Sequence, residues 1–93
     1  MHVFSAVAEL SLPSRSLKGK RGIVKSILAR ARNTFNVAAA EVAWQNHPES
    51  AVLGFSSVSE GRLPARQLLE RLEEWLVAER PDVEVVYFDI EER

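Results

Sequence analysis

An α+β sandwich, four antiparallel strands with two helices on one face, is the fold this chain predicts, and three patterns predict it. Apolar residues alternate with period two near both ends of the chain. They recur at three- and four-residue steps in two long blocks further in. Between those blocks lie two strand-like runs separated only by a turn.

In residues 2–12, Phe4, Ala6, Ala8, Leu10 and Leu12 alternate with Val3, Ser5, Val7, Glu9 and Ser11, which makes a strand with one more apolar face; Pro13 stops it. Ser16 is placed to cap a helix running to about residue 33, with Leu17, Val24, Ile27, Leu28 and Ala31 on its apolar side. Residues 35–44 are alanine-rich, but Asn33 and Asn36 interrupt the helix and Val37, Val42 and Trp44 favour a strand. Asn, Pro and Ser in residues 45–50 make a turn, and residues 51–59 form the third strand, pairing with the second as a hairpin. A second helix starts near Gly61, tolerates Pro64 in its first turn, buries Leu68, Leu69, Leu72, Trp75 and Leu76, and ends near Arg80 before Pro81. Residues 83–90 are the last strand. The order βαββαβ is the ferredoxin-like plan, with the second and fourth strands at the sheet edges.

Ninety-three residues, 46% of them hydrophobic, make one domain, residues 1–93. The absence of cysteine excludes disulfide scaffolds, thiol catalysis, iron-sulfur clusters and cysteine-based zinc sites. No apolar stretch approaches the roughly 20 residues of a membrane span, and the N-terminus lacks a basic segment ahead of an apolar one. A cytoplasmic protein with no membrane partner is expected.

The formal charge of −1 conceals a strong asymmetry. Residues 1–47 carry seven Lys or Arg against two acids, and residues 48–93 carry five against eleven. All seven N-terminal cations lie within residues 15–32, with no carboxylate among them. Lys18, Arg21, Lys25 and Arg32 follow helical spacing, so they share a stripe away from the apolar side. Such a block points to a polyanion, with Arg15, Lys18, Lys20, Arg21, Lys25 and Arg32 as the nucleic-acid-binding residues. A solvated face, neutralised by the acidic half, is the competing reading, and Glu41 is the expected partner of Arg15 or Arg21.

Other chemistry is thinly represented. The only imidazoles, His2 and His47, have no second ligand at metal-binding spacing, so neither a metal nor a cofactor is expected. The glycines of residues 18–22 lack the strand-to-helix setting of a phosphate loop. Acylphosphatases share this plan and need an arginine after the first strand and a nearby asparagine; Arg15 with Asn36 or Asn46 could supply those, but the glycine-rich anion loop is absent. A non-enzymatic protein is expected. RNA-recognition motifs stack bases on third-strand aromatics, and here Phe55 has the place of one while Ser57 replaces another, so core or dimer packing is favoured for Phe55. The second and third strands are apolar at both parities, which predicts a covered second sheet face: a homo-oligomer with Trp44 and Phe55 at its interface, or a bound ligand.

Leu12-Pro13, the block Arg15-Ser16-Leu17-Lys18-x-Lys20-Arg21, Val24-x-x-Ile27, Arg32-x-x-Phe35-Asn36-Val37, Ala40-Glu41-Val42 and Ala51-x-Leu53-Gly54 together resemble the YlxP-like family of uncharacterised bacterial proteins. The resemblance covers nearly the whole chain. It implies the same ferredoxin-like fold, no established activity, and a translation or ribosome-maturation setting with RNA or the ribosome as partner. Two functions are therefore expected in order: RNA binding through the basic first helix, or a dimeric regulatory module holding a small ligand or protein at its sheet.

Overall fold

Alternation in the first strand, β1 (His2–Ser11), sorts its side chains between the two sheet faces: Phe4, Ala6, Ala8 and Leu10 are buried, and their neighbours are only partly covered. The computed structural model describes all residues, 1–93. After β1 come α1 (Leu17–Thr34), β2 (Ala38–Ala43), β3 (Ser50–Ser59), α2 (Arg62–Glu79) and β4 (Glu84–Glu92). The strands form one antiparallel sheet in the order β2-β3-β1-β4, so β2 and β4 are the edges and the fold is ferredoxin-like, as expected.

One face of the sheet holds the core. Leu53 and Phe55 of β3 meet Ala8 and Ala6 of β1 in register, and Val24, Ile27 and Ala31 of α1 with Leu69, Leu72 and Leu76 of α2 close over them. Each fully buried leucine contributes about 2 kcal/mol of apolar burial. Buried Ser57 donates through its hydroxyl to the Ala65 carbonyl at 2.7 Å, tying β3 to the start of α2. Trp75, expected in the core, sits half-buried at its margin, edge-on to Phe35 with ring centroids 5.7 Å apart.

The second strand is shorter than its sequence suggested. Phe35 caps α1, giving its N–H to the Ala31 carbonyl at 2.8 Å, and Val37 N–H bonds back to Phe35 O, so residues 35–37 are a connector. At the other end a bulge between Glu41 and Ala43 and a left-handed backbone at Trp44 (φ 61°) terminate the pairing.

The opposite sheet face is open and divided. Its β2–β3 half is a shallow apolar depression of about 500 Å³ floored by small residues, Ala38, Ala40, Gly54 and Ser56, with exposed Val42 beside it. A Cβ on Gly54 would come within 2.9 Å of Val42 Cγ1, so a larger residue there would push the exposed Val42 side chain aside. The β1–β4 half is acidic: Glu9, Asp89 and Glu91 alternate with the buried positions. Phe55 has the other parity. At 3% exposure it belongs to the core beneath the helices, so it offers a second copy, or a nucleobase, no surface, which corrects its placement at an interface.

Candidate nucleic-acid interface

The basic surface is built from the first turn of α1 outward. Ser16 Oγ accepts the Gly19 N–H at 3.0 Å, and Ser14 Oγ donates to the Ser16 carbonyl at 3.0 Å, which fixes where the helix begins. From that origin the 3.6-residue period turns Val24, Ile27, Leu28 and Ala31 inward and leaves Lys18, Arg21, Lys25 and Arg32 exposed. Arg15, in the loop ahead of the cap, is exposed as well.

Lys20 does not belong to this stripe. It lies four residues before Val24 and seven before Ile27, in phase with the apolar side, and it is 1% exposed. Its ammonium donates to the Trp44 carbonyl and lies 3.0 Å from Glu41 Oε2. That carboxylate oxygen is buried and receives no aligned hydrogen bond, so the ammonium holds it by charge while the directed bond goes to Trp44. Two assignments are thereby corrected. Lys20 is a fold-internal cation rather than a phosphate contact, and Glu41 is its partner, not that of Arg15 or Arg21.

Beside this pair runs a groove of about 460 Å³ between α1 and β2. Arg21, Lys25 and Arg32 line it with Val24, Leu28 and Ala29, and Glu41 faces in from β2. Arg32 Nη2 also donates to the Ala39 carbonyl at 2.5 Å. Of the seven cations in residues 15–32, only Lys20 and Arg30 reach a carboxylate, the latter through Glu79 of α2. Arg15, Lys18, Arg21, Lys25 and Arg32 form no ion pair. By contrast, four of the five later cations are paired: Arg62 with Glu92, Arg66 with Glu70, Arg80 with Asp82 and Arg93 with Glu91. The basic block is therefore not neutralised by the acidic half, and its net positive potential is available to an external anion.

Trp44, expected at an oligomer interface, is also tied to α1 through its backbone, a link sequence reasoning missed. Its carbonyl accepts both the Lys20 ammonium and the His47 N–H, the latter at 3.0 Å, closing the β2–β3 turn. The indole is 46% exposed and tilted against the His47 ring, with centroids 6.0 Å apart. Because β1 and β2 both run antiparallel to β3, the Arg15 loop, Trp44 and Asn46 share one end of the sheet, and Asn36 lies at the other. No signal in the sequence announces a left-handed tryptophan. The inward phase of Lys20, however, was there to be found.

No group of three or more His, Cys, Asp or Glu side chains is arranged to hold a metal ion, and no helix is long and apolar enough to cross a membrane. Residues 3–90 match the family described as "Protein of unknown function (DUF503)". The uncharacterised protein YlxP of Bacillus subtilis (strain 168) is 37% identical over 57 residues, which cover 61% of this chain and 62% of that relative. The aligned stretch thus spans less than two thirds of the relative's length.

Proposed function

The chain belongs to the DUF503 family, whose function is unknown, and we propose that it is a non-enzymatic RNA-binding protein acting in a translation or ribosome-maturation setting. The observation that carries this reading is the set of five cations, Arg15, Lys18, Arg21, Lys25 and Arg32, that stand on one helix and its approach loop without an acidic partner. Exposed like charges at i,i+3 and i,i+4 spacing cost stability, and a fold that needed them only for solubility would intersperse acids. Facing a phosphate backbone, the same charges release condensed counterions on binding.

Fluorescence anisotropy with ribosomal RNA fragments over a salt series tests it. Binding should weaken linearly in log salt, with a slope of about 0.9 per phosphate contact for a duplex. Lys18→Glu/Arg21→Glu/Lys25→Glu should lose more than tenfold in affinity while keeping its fold by circular dichroism. Absence of binding at low salt in the wild type overturns the reading. A second reading, self-association through the open sheet face, is favoured by exposed Val42 and Val58 on its β2–β3 half. Sedimentation at micromolar concentration should then give a dimer or larger, and a monomer removes it.

A further inference from the structure

We infer that Trp44 is a stacking platform for an unpaired nucleobase, so that the basic face of α1 selects single-stranded or looped RNA over a duplex. The inference rests on the RNA reading and narrows its substrate class. Three observations converge on it.

The first is strain without repayment. A bulky side chain at φ 61° is a genuine outlier, in a region that glycine or asparagine occupies at little cost. Such outliers persist where the surroundings over-determine them, and two donors do so here: the buried Lys20 ammonium and the His47 N–H converge on the Trp44 carbonyl. Yet the strain is not offset by burial, because the indole lies outside the hydrophobic core and is 46% exposed. Trp75 makes the contrast, packed edge-on to Phe35 at the core margin.

The second is location. The bond from Lys20 ties Trp44 to the opening turns of α1, where Lys18 and Arg21 flank Lys20 in the helix and Arg15 precedes the cap. An exposed aromatic at the same end of the sheet as unpaired cations is the combination that single-strand binders use: the charges track the backbone and the ring takes a base, whatever its identity. The third is the setting of the other aromatics: exposed Tyr87 pairs with Glu9 on the acidic half of the sheet, two residues before Asp89, where a phosphate backbone is repelled. Phe55 faces the core, so the third-strand platform of an RNA-recognition motif is not available. Lys20 and Glu41 are then positioning residues. They hold the backbone that presents the indole and touch no RNA themselves.

A fluorescein-labelled single-stranded oligouridylate and an RNA duplex of equal length are titrated against the wild type, Trp44→Phe and Trp44→Gly. The wild type should prefer the single strand. Trp44→Gly, which relieves the backbone, should melt at or above the wild-type temperature yet bind the single strand about ten- to a hundredfold more weakly. Trp44→Phe should recover most of that affinity, and duplex binding and its salt slope should be the same in all three. A Trp44→Gly chain that melts lower than wild type, or that binds the single strand as tightly, overturns the inference. So does equal wild-type affinity for single strand and duplex, which leaves the RNA reading standing. Failure of the wild type to bind either RNA at low salt overturns both.

Discussion

The two helices are of equal length and cover the same sheet face, but they handle charge in opposite ways. On α2, Arg62 bonds Glu92 at 2.9 Å and lies over the buried Phe4 ring, and Arg66 meets Glu70 one turn on. On α1, the cations with a carboxylate partner are Lys20, turned into the fold, and Arg30, turned toward α2; the others meet no carboxylate, and of them Arg32 bonds a backbone carbonyl of β2. The beginnings differ too: Ser16 caps α1 with its side chain, whereas Gly61 starts α2 with none. Charge that serves folding is paired close to home in this molecule. Of the cations without a carboxylate partner, all but Arg71 stand on α1 or its approach loop, and the proposed RNA surface rests on that separation.

The comparison can be broken most severely at Lys20. Lys20→Met leaves Glu41 without its cation and the Trp44 carbonyl without its charged donor, and should cost about 2–3 kcal/mol by urea denaturation, below the full cost of an orphaned buried charge because Glu41 keeps 19% exposure. Lys20→Met/Glu41→Leu should recover most of that loss; if it does not, the pair does more than cancel its own desolvation.

Next in size is the capping difference. Ser16→Ala should lose about 1 kcal/mol. Gly61→Ser should gain less than that, because a Cβ there would stand 3.0 Å from Pro64 Cδ, and a full compensating gain would show that α2 begins uncapped for no steric reason. Smaller still, but opposite in sign, are two surface changes. Arg30→Gln should lose a few tenths of a kcal/mol with its Glu79 contact, and Lys25→Gln should gain about as much by relieving Arg21 four residues back. Matching signs in thermal melts would erase the distinction between paired and unpaired cations on α1.

The smallest effect concerns acid. The hydrogen bond from Arg62, with a further contribution from His2, holds the Glu92 carboxyl below its ordinary value of 4.5. A carboxylate lowered on folding stabilises the protein above its unfolded pKa, and that contribution is lost as pH falls through the folded one. Glu92→Gln should therefore melt slightly below wild type at neutral pH and together with it in strong acid. A gap that persists in acid would mean the contact acts by packing rather than by charge.

Periodicity made the element order, the Ser16 cap and the burial of β1 readable in the sequence, because each depends on local spacing. Lys20 was readable and was not read: its chemical type argued for the surface while its phase with Val24, Ile27 and Ala31 argued for the interior, and phase won. Phe55 depended on the parity of β3, which a strand apolar at both parities does not declare until its register with Ala6 is known. The partner of Glu41 required knowing which turn of α1 lies against β2, a tertiary fact. Trp44 required a backbone conformation that its residue type disfavours, so local propensity pointed away from it.

The contact of Arg32 with β2 carries a further consequence. As an edge, β2 leaves backbone acceptors unmatched along its outer side, and such a row is a template on which other chains can add strands. The guanidinium of Arg32 occupies the Ala39 carbonyl, and the bulge near Ala43 shortens the run that remains. An alanine-rich edge with few charges of its own is thus guarded from a neighbouring helix. Without that side chain the Ala39 carbonyl loses its partner, and one more acceptor of an edge strand is left open to pairing.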